Sequence, residues 1–600
     1  MELSAALAGE KLSPTLDKPV VRIGIVGCGS RGLTVLERIC ALAINTARRI
    51  EVNVFEPKSP GPGLHAVDQP EYLMLNTVAS QISMFPDTAA LNGHTGRQGP
   101  NFYEWCLRHK PEERSVQPNE FLPRRWLGEY LAWTYEEVIR SLPGNVRVVH
   151  HPHAVDNIEH TDMGQFVLST TEVECSVDWL AITVGHARRL QQDDKELPGA
   201  FAKDAHLDSR GFKLSTEAVG IEGLGLTAMD VVADLTVGRG GQFREGAEGL
   251  HYEPSGREPR IYMFSRSGLP YRTRPDIVPH RTSNAALIFT LSAIANLRTE
   301  NPAGLDFELQ VLPLIKAEML AEYFGMIASQ KGESAVRIKA EVAHAYHSGR
   351  LEAVSAEMAS RFDAPPLDEA VYNPRVSTIE SADYPQAMRA FIERDIGQSC
   401  SGLDASPIKA AIEVWRSCRE QLRRVVDNRG LTAASSRVFF GEYAPHVNRM
   451  VAGPQKERHQ ELLALAYVGV VHWVRHSQVI HSADGAGPKV VLADNLSVSL
   501  NSIIKAHVST PCDKSSLPKI IRSLKSIGII HSLTGHGEGV LVDSEGKAQP
   551  NLWITGPLVE GSTYYNHYVP SSGSYSRAFV DADRIAREML GLNVEVRAIV

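Results

Sequence analysis

Residues 22–32 run Arg-Ile-Gly-Ile-Val-Gly-Cys-Gly-Ser-Arg-Gly, an apolar strand passing directly into Gly27-x-Gly29-x-x-Gly32. The pattern that follows predicts a helix over Leu33–Ile44 and a second strand, Ile50–Phe55, ending on Glu56. This is a dinucleotide fingerprint in its full strand–turn–helix–strand setting. Gly27 makes the tight turn, Gly29 lets the backbone approach a pyrophosphate, and Gly32 lets the helix pack closely with its N–H groups facing the phosphates. Ser30 and Arg31 lie inside the same turn. Glu56 stands 24 residues beyond Gly32, where a carboxylate can accept hydrogen bonds from ribose hydroxyls. Ser30 is no hydrolase nucleophile, because Cys28 stands where a nucleophile elbow needs glycine.

A second turn of the same kind follows the strand Ala218–Ile221. It reads Gly223-Leu224-Gly225-Leu226-Thr227-Ala228, with alanine in place of the third glycine, and opens a helix over Met229–Leu235. The next strand, Arg260–Phe264, ends in Ser265-Arg266-Ser267. An arginine flanked by hydroxyls, with no carboxylate there, suits a ribose 2′-phosphate. An acidic ribose ligand in the first site and a basic one in the second predict a division of labour. FAD would sit in the first and NADPH in the second, with hydride passing between them.

A chain of 600 residues is too long for one core. The expected fold class is α/β: two Rossmann-like dinucleotide-binding domains, a discontinuous FAD domain and an inserted NADPH domain, plus a mainly helical domain. Residues 1–20 read as a disordered leader, and 21–214 as the first part of the FAD domain. The NADPH domain spans 215–283, a helical substrate or roof domain 284–430, and the C-terminal completion of the FAD domain 431–600. Within the first part, Pro57–Arg125 is a loop-rich excursion whose Pro123-Arg124 enters a helix, and Arg124 joins the candidate FAD ligands. Val173–Val184 reads as a strand leaving that domain at His186. Near the C-terminus, the strand Asn551–Thr555 leads into Gly556-Pro557 and Gly561, a turn that would bring backbone amides to the flavin.

The net charge of −8 gives no basic excess to displace phosphate counterions, so a nucleic-acid partner is not expected. The N-terminus lacks a basic segment followed by an apolar one, and Ala285–Leu297 is too short and too polar to span a bilayer. Seven scattered cysteines without a C-x-x-C pair predict free thiols in a reducing cytoplasm. His150, His151 and His153 match no metal-ligand spacing, and no metal is expected. Self-association is left open. Arg272, Arg274 and Arg281, a basic run after the NADPH domain, could hold a carboxylated substrate, with Arg449 and Arg577 in reserve. Tyr565 and Asn566, in the aromatic stretch Tyr564–Tyr568, could line the site.

Several of these motifs carry a family likeness. Arg31-Gly32-Leu33, Pro123-Arg124, the second glycine turn, Leu269-Pro270-Tyr271-Arg272, Ser406-Pro407, Ala452-Gly453-Pro454 and Gly556-Pro557 through Tyr565-Asn566 resemble the FAD/NAD(P)-binding proteins of bacterial metabolism. The likeness spans roughly residues 20–595, and its characterised members look like the nitrosuccinate synthases, which N-oxygenate L-aspartate. More distantly the chain is similar to ornithine and lysine N-hydroxylases. The resemblance implies an NADPH-dependent monooxygenase that N-hydroxylates a small amino acid, L-aspartate first, by way of a C4a-hydroperoxyflavin. Molecular oxygen is then a co-substrate, and no catalytic side chain is assigned because the flavin carries the chemistry. The rivals are a C-hydroxylating monooxygenase or NADPH reductase on another small metabolite, and a non-catalytic FAD-binding sensor.

Overall fold

The computed structural model describes residues 20–111, 115–185, 218–276 except 248, 285–367, 382–480, 488–492, 496–506, 517–530 and 541–593 except 542, 544, 546 and 548. Residues 1–19 of the expected leader, together with His186, Arg281 and Cys512, lie outside this set.

The first sheet has five parallel strands in the order Leu552–Ile554, Trp179–Ile182, Val21–Val26, Ile50–Phe55, Val146–His151. Val26 pairs with both Phe55 and Ile182, and Ile182 pairs with Ile554. The carboxyl ends of four strands are therefore level, and the turns at Gly27, Glu56 and Gly556 all emerge at that edge, where open parallel sheets bind ligands. The helices Ser30–Leu42 and Arg577–Leu590 help cover one face. The other face packs on an antiparallel sheet, Asn157–His160, Phe166–Ser169 and Glu174–Val177, and on the helix Lys519–Ser526. Burial on both faces explains why the central strands are almost continuously apolar. The strand expected over Val173–Val184 is thus two strands serving different sheets.

The second sheet is also parallel, in the order Val471–Trp473, Arg260–Phe264, Ala218–Glu222, Ser502–Lys505. Its two outer strands come from residues read as completing the first domain. They are separated from the glycine turn by the whole helical region, so no local signal in the sequence connects them.

The helical region buries one large apolar core. Within it the helices Ala335–His347 and Leu351–Phe362 are separated at Gly349, whose φ of 70° is left-handed. Two π-helical turns, Phe307–Val311 and Phe439–Tyr443, pack ring against ring through Phe307 and Phe439 at 4.8 Å. Phe439 in turn meets Tyr564 at 5.2 Å, which carries the helical core onto the C-terminal loop.

A buried ionic cluster joins the second nucleotide fold to this region. Asp395, on the helix Tyr384–Ser401, accepts hydrogen bonds from Lys409 Nζ (2.9 Å), Arg272 Nη1 (3.0 Å), and the Thr273 N–H (2.7 Å) and hydroxyl (2.8 Å). Burial alone would push the Asp395 carboxyl up, but the charges of Lys409 and Arg272 and these hydrogen bonds outweigh it and hold it well below the usual range. Asp395→Asn leaves two buried cations short of their anion, and should cost roughly 3–5 kcal/mol of stability. Because the folded carboxyl titrates below its unfolded value, that deficit should be full above about pH 4 and shrink as the pH falls below it. Urea unfolding of both proteins across pH checks this; an equal midpoint near neutrality would contradict it.

Candidate active site

The first glycine turn is shaped for an extended anion. Gly27 has φ +87°, and a Cβ there would lie 2.9 Å from the Val184 backbone. A Cβ on Gly32 would sit 2.2 Å from the Gly27 carbonyl, and one on Gly29 would press on Gly63 Cα at 3.3 Å. Gly29 is also the N-cap of the helix Ser30–Leu42 and no side chain caps it, so first-turn N–H groups remain for a ligand. Glu56 Oε2 accepts the Cys28 N–H at 2.9 Å, holding the turn and the end of the second strand together. These features fit a dinucleotide pyrophosphate.

The C-terminal loop closes over this turn. Gly556 (φ +85°) lies against Arg31, and Arg31 donates to the Asn566 carbonyl at 3.1 Å while its guanidinium sits 4.3 Å from the Tyr568 ring centre. Gly561 also has positive φ, at 100°. Glu560 accepts the backbone N–H groups of Tyr565 (3.0 Å) and Asn566 (2.7 Å). The Asn566 side-chain NH2 is spent within this loop, on Glu560 and Thr563.

Arg124 does not stand alone at the first turn. Its guanidinium donates to Asp230 Oδ2 (2.6 Å) and Oδ1 (3.0 Å) and to the Met74 carbonyl (2.9 Å). Asp230 is buried on the helix Leu226–Thr236 of the second fold and needs a cation. Arg124, expected as an FAD ligand, thus ties the two nucleotide folds together.

The second glycine turn repeats the logic of the first. Gly223 has φ +141° and no room beside the Ala506 carbonyl, and Gly225 caps the helix Leu226–Thr236 without a side-chain cap. Thr227 and Ala228 are buried where this helix meets its sheet. Ser265, Arg266 and Ser267 form the turn after the neighbouring strand, and Arg266 is exposed with no anionic partner among the described residues. Arg266→Ala should weaken NADPH binding by about 1.5–3 kcal/mol, one to two decades, and leave NADH nearly unchanged. KM values for both cofactors check it, and equal use of both by the parent protein would contradict it.

The basic run divides. Arg272 goes into the ionic cluster with Asp395, so its guanidinium serves the framework. Arg274 is 8 % exposed, donates to the Asn76 carbonyl at 2.9 Å, and leaves Nε without a partner among the described residues. It has no carboxylate within ion-pair distance among them. Burial first, and the charge of Arg416 second, lower its pKa to about 9, the sign of a cation held without an anion. Of the reserves, Arg577 is committed to Asp427 and Asp581, while Arg449 lies against His446.

Arg274 meets residues that the sequence reading passed over. Arg416 lies in the last turn of the helix Pro407–Ser417, and Arg419 and Arg423, four apart, share a face of the next helix, Arg419–Val426. Arg419 lies 3.7 Å above the Tyr565 ring centre, and Arg423 donates to the carbonyls of Tyr564 (3.2 Å) and Tyr565 (3.0 Å). Arg416 and Arg274 also act electrostatically on Tyr565. Tyr565 itself has a left-handed backbone, φ 61°, a conformation that persists in a non-glycine residue only when its surroundings impose it. The spacing of the three arginines was the available signal, but arginines on a helix ordinarily mark a solvated face.

Residues 24–187 match the FAD-NAD(P)-binding family. Over 95% of its length the chain is 28% identical to the nitrosuccinic acid synthase of Aspergillus oryzae, covering 93% of that protein. It is 27% identical to an L-aspartate N-monooxygenase (nitrosuccinate-forming) of Streptomyces davaonensis, over 96% of this chain and 97% of the other. Among solved structures, the L-lysine 6-monooxygenase of Pseudomonas syringae aligns over 95% of this chain and 98% of its own, with TM-score 0.44 and 11% identity. Among the described residues, no helix is long and apolar enough to cross a membrane.

Proposed function

We propose that the chain is an FAD- and NADPH-dependent monooxygenase that oxidises the amino group of a small dicarboxylic amino acid, L-aspartate, towards nitrosuccinate. The observation that carries this reading is the buried, anion-less Arg274 converging with Arg416 and Arg419 on Tyr565, beside the loop that covers the first glycine turn. A substrate with two carboxylates supplies the charge this cluster lacks, and planar guanidinium groups hold carboxylates bidentately. The names of the full-length relatives point the same way. Gly27, Gly29, Gly32 and Glu56 would hold FAD, which would supply the oxygen-activating chemistry, and Gly223, Gly225 and Arg266 would hold the NADPH that reduces it.

The chain's own task is then positional. Arg274, Arg416 and Arg419 fix the carboxylates; Arg423 and Glu560 fix the loop carrying Tyr565; Arg31 fixes that loop against the first nucleotide turn. A substrate held at both carboxylates presents its nitrogen in one orientation, which is how binding distant from the reacting atom lowers the barrier. The test is an amino-acid panel scored for stimulated NADPH oxidation and for the mass of the product. L-Aspartate should be the best substrate and give N-oxidised product; stimulation by monocarboxylic amino acids alone would refute the assignment of the cluster.

A further inference from the structure

The reaction proposed above needs something the arginines do not provide. The nitrogen of an amino acid is an ammonium group at neutral pH and has no lone pair with which to form an N–O bond. We infer that Tyr565 takes the proton from the substrate ammonium and so generates the free amine; the inference rests on the function proposed above.

Tyr565 is built as a fixed side chain with an uncommitted oxygen. Its N–H is held by Glu560 and its carbonyl by Arg423, and Arg419 stacks on its ring. The Tyr568 ring stacks on it at 6.1 Å and 19°, and Tyr564 lies 6.0 Å away. The residue is half-buried, and its hydroxyl makes no hydrogen bond among the described residues. A buried framework tyrosine ordinarily spends its O–H on a partner, as Tyr130 does on the Pro100 carbonyl.

The surrounding charges favour the phenolate. Arg419 lies over the Tyr565 ring and Arg423 holds its carbonyl, and the charges of Arg416 and Arg274 act on it as well. The nearby carboxylates are engaged elsewhere: Glu413 lies 3.6 Å from Arg416, Glu420 pairs with Arg423, and Glu560 binds the loop N–H groups. Burial alone would raise the Tyr565 hydroxyl, but the four guanidinium groups outweigh it and bring it below the usual phenol range. The proton step balances without a further reactant: an N–H bond of the ammonium breaks, the phenolate gains an O–H bond, and amine and phenol result. Substrate binding itself favours the step, because two carboxylates arriving on the arginines offset the field that lowers the phenol's affinity for a proton. The base becomes stronger as its substrate is seated.

The test uses the flavin-loaded holoenzyme with NADPH, oxygen and L-aspartate, in wild type and Tyr565→Phe. Two signals are followed across pH: N-oxidised product per NADPH consumed, and tyrosinate ultraviolet absorbance of the oxidised enzyme before and after aspartate. At neutral pH the variant should form product about a hundredfold more slowly, with NADPH diverted to peroxide, and recover as rising pH supplies free amine. The wild type should show tyrosinate absorbance that aspartate removes and that the variant lacks. A wild type that forms product, beside a variant with the same pH profile and coupling, overturns the proton role alone. A wild type that gives no N-oxidised product overturns the function and the proton role with it. Should the variant lose its flavin, the wild-type absorbance decides: no tyrosinate signal that aspartate removes overturns the proton role.

Discussion

Arg274→Ala is expected to raise the KM for L-aspartate by roughly ten- to a hundredfold, leave the KM for NADPH unchanged, and turn most consumed NADPH into peroxide. A charge-assisted hydrogen bond to a carboxylate is worth about 1.5–3 kcal/mol, which sets the range. Peroxide follows because a loosely held amine is no longer aimed at the activated oxygen. The same substitution should not destabilise the substrate-free protein as loss of a paired buried residue would, because among the described residues Arg274 has an unpartnered Nε and no carboxylate within ion-pair distance. Arg272→Ala is the control. That residue neutralises Asp395, so its loss should lower the melting temperature far more than it alters the aspartate KM. Steady-state kinetics and thermal melts of the two variants separate the roles, and an Arg272 variant with the larger KM effect would move the substrate site.

Gly29→Trp is expected to purify colourless, whereas the parent protein should purify yellow. The Gly29 Cβ position is already 3.3 Å from Gly63 Cα, and Gly63 is itself in a left-handed conformation with a Cβ position 2.9 Å from Gly29 Cα. The two backbones touch, and an indole there must both open the Pro60–Leu64 loop and fill the pyrophosphate path. Flavin content by absorbance after denaturation measures the effect, and stoichiometric FAD in the variant would place the cofactor elsewhere.

What could be read in advance was whatever a few consecutive residues determine. Both glycine turns, their flanking strands and the Arg266 turn are local patterns with a direct steric or electrostatic cause. Long-range partnerships were not legible. Arg124 reads as a cofactor ligand, and nothing local shows that it also pairs with Asp230, 106 positions away. Arg272 and Arg274 are indistinguishable in a basic run, yet Asp395, on a distant helix, claims one and no carboxylate among the described residues claims the other. Arg416, Arg419 and Arg423 read as a wet helix face because nothing near them in sequence shows that Tyr565, more than a hundred residues on, folds under them. The strand Ser502–Lys505 has the same difficulty, since its partner Ala218–Glu222 precedes it by the whole helical region.

Oxygen transfer to the nitrogen of a dicarboxylic amino acid is read out by isotopically labelled molecular oxygen. The holoenzyme is supplied with NADPH, L-aspartate and the labelled gas, and the product is analysed by mass. Aspartate-stimulated NADPH oxidation with label bound to nitrogen is the expected result. Label on carbon, or NADPH oxidation indifferent to aspartate with all label in peroxide, would contradict it.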